Sequence, residues 1–443
     1  MKTIKVFTAF SGYESQMMSL ERLQRDYPQL SFELVGWCEI DEHAIASHNA
    51  VYPQYANRHY RDISKIDWNI VPDFDLFVYS SCCQDISRAG KQRGLKEGSG
   101  TRSALLWFCL EGIRIKQPKY TLLENVAALT GDKFVEDLQD WEDAVNDCGY
   151  NSYYKNLIAA NFNVPQNRDR VFMVSIRKDL NQEYYFPSPI KPTVKAVDLL
   201  ETHPESKYYF AEEDMLKFLC GMYDKDIPCG YDKAAKMATE TIEGKILKQI
   251  ITPAYKGVEG SDIYTDICPT LMASGGNGAR WTNALGRYCQ PLIVELWENS
   301  EHKPIDYNKI IKFAKPLAKK QKFPGPKQSK DVIENSLNNL KKNQFFRLRK
   351  MTPVEYLRFM DVPEDYIYRL THPREGLKQL GYNDEEINKL FTVDYKTKAE
   401  NTIKKRIKNS DKDIWKQAGN SIVVNVLYHV FRKLFVNLDP ELI

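Results

Sequence analysis

Cys82 and Cys83 stand side by side where the apolar run 74–79 gives way to the polar, glycine-rich stretch 84–100. A free cysteine is commonly a small buried hydrophobe. A thiol just past the carboxyl end of a strand is different, because open α/β sheets carry their sites at that edge. There it is a candidate nucleophile, provided its surroundings favour the thiolate. Glu124 follows the apolar pair Leu122 and Leu123, again at the end of a strand-like run. A buried carboxylate without a partner is costly, so this one points to an ion pair, the commoner arrangement, or to proton chemistry. Arg168 and Arg170 occupy alternate positions just before the run 171–176. On extended backbone they project to one side, suited to a phosphate or a carbonyl oxygen.

A second group of residues suits an adenosine ligand. Ser11 and Gly12 lie between a strand-like run and a helical pattern, and Glu39 closes the next strand. Backbone amides at a helix start meet a polar group, while a carboxylate at the second strand's tip accepts ribose hydroxyls. Asp62 with Ile63 offers an acceptor for an adenine amino group. One glycine turn and one acid also occur in α/β proteins that bind no nucleotide.

These residues need a sheet to bring them to one edge. Runs at 4–10, 32–38, 74–79, 120–123 and 171–176 read as strands, and 15–23, 44–49 and 103–115 as helices between them. The alternation predicts an α/β fold: a doubly wound, mostly parallel sheet covered on both faces. Three prolines within 187–192 mark a boundary. Beyond it the periodicity is poor, and lysine is dense over 303–350 and 396–416. The expected division is a catalytic domain over 1–188, a second, irregular domain over 189–412, and a carboxyl-terminal segment, 413–443, that returns to the first. Within that last segment 425–434 repeats apolar residues at helical spacing.

Composition narrows the class less than the motifs do. With 62 basic against 59 acidic residues the net charge is only +3, which neither demands nor excludes nucleic acid. Nine cysteines occur without a Cys-x-x-Cys pair, arguing against a zinc cluster and a disulfide framework. No apolar run approaches membrane-spanning length and no signal peptide is evident, so a reduced, cytoplasmic protein with no metal and no membrane partner is expected.

The ordered series of motifs resembles the DNA cytosine-5 methyltransferases, most of all their bacterial and phage members. It comprises Phe10-Ser11-Gly12, Glu39, Asp62, Cys83-Gln84, Glu124-Asn125-Val126, Gln166-x-Arg168-x-Arg170, 349–355 and Gln417-Ala418-Gly419-Asn420-Ser421. The resemblance spans residues 4–430 and implies a class I, Rossmann-like fold with S-adenosylmethionine as donor substrate. It also implies a specific double-stranded DNA as partner, reached by base flipping, and a second domain that recognises the target. By resemblance Cys83 is the nucleophile that adds to carbon 6 of cytosine, Glu124 holds or protonates ring nitrogen 3, Arg170 holds the ring carbonyl, and Arg168 supports the loop. The donor contacts carried over are Phe10, Ser11, Gly12, Glu39, Ile40, Asp62, Ile63, Asn420 and Ser421. Such an enzyme is expected to act as a monomer on DNA in a bacterial or phage-infected cell, near the nucleoid, with or without a cognate restriction endonuclease.

Three departures stand out. Cys82 occupies a position where the family usually has proline, and Thr8, Glu14 and Ser15 replace the usual acid and glycines of the first block. About fifty residues between Pro363 and Gln417 exceed the family's usual length, with Asn383-Asp384-Glu385-Glu386 reading as a helix start. Lys404-Lys405-Arg406 in this insert are candidates for DNA phosphate contact. The rival readings are a transfer RNA cytosine-5 methyltransferase, which has the same core chemistry, and a catalytically silent DNA-binding relative.

Overall fold

The computed structural model describes residues 3–81, 85–86, 93–210, 248–251, 263–264, 266–271, 292–297, 345–396 and 402–436. They form two compact units, 1–193 with 357–443, and 194–356. Cys82, Cys83 and Gln84 lie outside the described residues, as does most of the lysine-rich stretch 303–350.

The first unit is built on a seven-stranded sheet. Its strands are β1 (Thr3–Ala9), β2 (Ser31–Cys38), β3 (His59–Tyr60), β4 (Leu76–Tyr79), β5 (Tyr120–Val126), β6 (Tyr150–Ile158) and β7 (Asp169–Arg177). The spatial order is β3-β2-β1-β4-β5-β7-β6. The first five run parallel, whereas β7 is antiparallel to both neighbours. Every residue of β4 and β5 is buried, as expected of central strands covered on both faces. β6 escapes the sequence reading because it is a polar edge strand with mostly exposed or half-buried residues.

Helices α1 (Ser15–Asp26), α2 (Glu42–Val51), α3 (Trp107–Lys116) and α4 (Val135–Asp147) connect the strands. Asp41 starts α2 by accepting the amides of His43 and Ala44, at 2.9 and 3.4 Å. This satisfies two of the donors that a helix start leaves free. The core beneath the strand tips is aromatic: Phe7 packs against Trp68, Phe74 and Phe77, and Tyr79 meets Trp141 edge-on.

Residues 357–436 fold back onto this unit through α5 (Glu364–Thr371), α6 (Pro373–Gln379), α7 (Asp384–Leu390), α8 (Asp411–Asn420) and α9 (Val424–Phe435), with a hairpin of Thr392–Lys396 and Thr402–Arg406. Asn383 caps α7 in a reciprocal capping box with Glu386, so the acidic stretch does start a helix. The division at 412 is corrected here: 357–412 groups with the first unit. The physical reason is packing on α2 and its neighbours. Arg369 Nη1 donates to Val51 O at 2.8 Å, Asn49 Nδ2 donates to Leu390 O at 2.8 Å, and Tyr366 OH donates to Glu21.

The second unit is more regular than its sequence suggests. Its described part contains an antiparallel sheet in the order Ile263–Tyr264, Lys248–Ile251, Leu292–Trp297, Phe345–Lys350. The fully buried Arg349 makes two bonds to Glu355, at 2.8 and 2.7 Å, and the same carboxylate accepts the amides of Thr352 and Glu201. A buried ion pair holds only when its remaining acceptors are filled in this way.

Candidate active site

The parallel pairing of β4 and β5 sets Tyr79 opposite Leu123, so the strand that leads to Cys83 ends beside the residue before Glu124. Glu124 is buried at the tip of β5, and Arg170 Nε lies 3.2 Å from its Oε1. Burial raises the Glu124 carboxyl above the usual range, while the charges of Arg170 and Arg168 oppose that rise. Next to it, Asn125 Nδ2 donates to Ser81 Oγ at 3.1 Å, fastening the residue just before Cys82 to the β5 tip. On the far side Asp85 accepts Arg93 Nε at 2.8 Å and the Arg102 amide at 3.0 Å. The bond from Arg93 holds Asp85 below the ordinary carboxylate range. Ser81 and Asp85, on either side of positions 82–84, are thus both held by hydrogen bonds.

Arg168 and Arg170 part company despite their alternate spacing. Arg170 reaches Glu124, whereas the buried Arg168 turns its Nη2 to the carbonyls of Gly419 and Ser421, at 3.0 and 2.6 Å. Arg168 therefore tethers the carboxyl-terminal Asn420-Ser421 segment. Gln166 is also buried and donates to Phe359 O at 2.9 Å.

The residues expected at the donor gather around the turn after β1. Phe10 and Gly12 both take left-handed backbone angles, φ 57° and 59°. Ser11 Oγ lies 2.8 Å from Thr8 Oγ1 and 3.2 Å from Cys38 O. Glu39 closes the turn: its Oε2 accepts the Gly12 amide at 3.0 Å, and its Oε1 accepts the amides of Ile40 and Asp41, both at 2.8 Å. Those bonds leave one acceptor position on the carboxylate. Ile40 is exposed beside it, and Ile63 is buried. Asp62 caps a short 3-10 turn by accepting the Ser64 amide at 3.1 Å. Ser421 joins the group through Ser15, with their hydroxyls 3.1 Å apart, while Asn420 is exposed.

Sequence reasoning misses the layer beneath this turn. Glu14, left-handed at φ 73° and fully buried, accepts Thr8 Oγ1 at 3.0 Å. Its Oε2 lies 3.3 Å from Nε2 of the equally buried His48, whose ring stacks on Trp37 at 3.6 Å. The only signal was Glu14 itself, an acid where the family's first block has glycine.

The model of the C-5 cytosine-specific DNA methylase family matches residues 4–382. The chain belongs to that family. Among curated methylases, the type II methyltransferase M2.ScrFI of Lactococcus lactis subsp. cremoris is 33% identical over 257 residues, covering 46% of this chain and 70% of that protein. The orphan methyltransferase M.SPRI of Bacillus phage SPR is 24% identical over the full length of both chains. Among solved structures, the Dnmt2 methyltransferase of S. pombe superposes with a TM-score of 0.51 at 15% identity, covering 98% of this chain and 99% of its own. That likeness speaks for the fold, the class I methyltransferase arrangement. The methylase is accordingly an enzyme that methylates cytosine at carbon 5 in DNA. Among the described residues no helix is long and apolar enough to cross a membrane.

Proposed function

We propose that this methylase acts on one specific double-stranded DNA sequence through a covalent intermediate between Cys83 and carbon 6 of a flipped cytosine. The observation that carries the reading is the pair of buried Glu124 with half-buried Arg170, set beside the strand that leads to Cys83. The target base is turned out of the duplex, as enzymes that modify bases within DNA require. The Cys83 thiolate adds to carbon 6, and the electron pair of the 5,6 double bond moves toward ring nitrogen 3, where Glu124 supplies a proton. Covalent addition makes carbon 5 nucleophilic, splitting one hard step into two easier ones. Arg170 holds the ring carbonyl against Glu124, and Arg168 keeps the carboxyl-terminal segment in place. Carbon 5 takes the methyl group, with S-adenosylhomocysteine leaving; loss of the carbon 5 proton to solvent then restores the 5,6 double bond and expels Cys83 as thiolate, while ring nitrogen 3 returns its proton to Glu124.

S-adenosylmethionine supplies the methyl group. Its fit rests on the remaining acceptor of Glu39, which suits a ribose hydroxyl, and on the exposed Ile40 beside it. Phe10, Ser11, Gly12, Asp62, Ile63, Asn420 and Ser421 complete this reading of the donor site. The second unit, 194–356, is assigned target recognition, because reading a duplex needs side chains placed in its grooves. The protein works as a monomer in the cytoplasm in this reading.

The test is a denaturation-resistant adduct with duplex DNA containing 5-fluorocytosine, formed only when S-adenosylmethionine is present. Cys83→Ala should form none, and Cys82→Ala should retain it. The reverse pattern would move the nucleophile to Cys82. Methyl transfer to transfer RNA but not to duplex DNA would favour the rival substrate.

A further inference from the structure

The insert between Pro363 and Gln417 invites reading as a DNA-binding elaboration, since Lys404-Lys405-Arg406 lie in it. Its contacts lead elsewhere. Asn409 Nδ2 donates to His43 O at 3.0 Å and to Ser47 Oγ at 2.7 Å, and its Oδ1 lies 2.8 Å from His43 Nδ1. Lys416 Nζ reaches Asp41 Oδ2 at 2.5 Å, the same carboxylate whose other oxygen caps α2. Lys405 Nζ is 3.6 Å from Glu42 Oε2. All three attach to the first turns of α2, the helix that starts directly after Glu39 and Ile40.

That attachment bears on the donor site through the backbone. Glu39 Oε1 is held by the amides of Ile40 and Asp41, so the position of Asp41 sets the direction of the carboxylate. We infer that Asn409 and Lys416 are positioning residues for the donor: the insert clamps the start of α2 and thereby aims Glu39. This deepens the reading of Glu39 as a donor ligand and rests on it. Lys404 and Arg406 are exposed on the same hairpin and reach no acid of α2 in the structure. The clamp therefore predicts unequal roles for neighbouring basic residues.

The experiment measures S-adenosylhomocysteine affinity by calorimetry on the full chain, with kcat and separate KM values for donor and DNA. Asn409→Ala should weaken S-adenosylhomocysteine and raise the donor KM about tenfold, because the start of α2 loses all three polar contacts of the Asn409 side chain. Its kcat at saturating donor and its KM for DNA should stay near wild type. Lys416→Ala, which breaks an exposed pair and is safe for folding, should move the donor KM the same way by a smaller factor. The double variant Lys404→Ala with Arg406→Ala should leave donor affinity unchanged. If instead the lysine and arginine variants all raise the DNA KM and flatten its salt dependence, with donor affinity intact, the insert is a phosphate contact and the clamp is wrong. Unchanged donor affinity in Asn409→Ala also overturns the clamp while leaving the donor site standing. A wild-type protein that binds no S-adenosylhomocysteine overturns both.

Discussion

Replacing Glu124 by glutamine should lower kcat by about 10²- to 10⁴-fold, the usual contribution of a positioned acid or base, while donor affinity stays unchanged. Glutamine keeps the size and hydrogen-bonding reach of the side chain but cannot release a proton to ring nitrogen 3. The pH profile separates this role from a purely structural one. Burial keeps the Glu124 carboxyl protonated above the ordinary carboxylate range, with Arg170 and then Arg168 opposing. If the protonated form is the active one, kcat falls on the alkaline side as this group ionises, and Glu124→Gln lacks that limb. Arg170→Ala removes a charge that favours the carboxylate, so the limb should move to higher pH even as kcat drops. A Glu124→Gln enzyme within tenfold of wild type, with the same alkaline limb, would remove Glu124 from the proton step.

The strand tips were legible because each ends an apolar run in a residue that does not belong in a core. Glu39, Glu124 and the arginines around the start of β7 could therefore be placed on one edge without coordinates. The sheet's antiparallel end was less legible: β6 is a polar edge strand, with too little apolar alternation to declare itself. The return of 357–412 to the first unit was not legible at all. It rests on pairs such as Asn409 with His43, 366 residues apart, and no periodicity encodes a contact at that distance. The same limit applies to the two arginines of Gln166-x-Arg168-x-Arg170. Their alternation predicted a common side, but the approach of Gly419 and Ser421 draws Arg168 away. Glu14 was visible as an oddity of the turn, yet its partner His48 sits among small and polar residues of a helix buried from Ala44 to Val51, where nothing in the sequence marks it.

That buried pair should leave a signature in the pH dependence of stability. Burial pushes the Glu14 carboxyl up to about 8, with Thr8 and Ser11 bonds opposing, and pushes the His48 imidazole down to about 3. The folded pair is thus a neutral acid beside a neutral ring, because neither charge is solvated there. Unfolding releases the Glu14 proton between the carboxyl's unfolded value of 4.5 and its folded value of about 8. The native state then binds more protons than the unfolded one, so Glu14 costs stability as pH rises from 4.5 to 8. His48 acts oppositely, adding stability as pH rises from 3 to 6.5. The two slopes cancel between 4.5 and 6.5, leaving a net loss of about 2 kcal/mol between 6.5 and 8. Glu14→Gln keeps the shape, the strained backbone and the bond to Thr8, but has no proton to lose. The stability of wild type relative to this variant should therefore fall by about 1.4 kcal/mol per pH unit across 4.5 to 8, on the order of 4–5 kcal/mol in all. Urea unfolding of both proteins at pH 5, 6.5 and 8 measures it. A difference that stays flat would mean that Glu14 is already ionised beside a neutral His48 in the folded state. The donor turn, tied to Glu14 through Thr8 and Ser11, would then rest on a charged base rather than a neutral one.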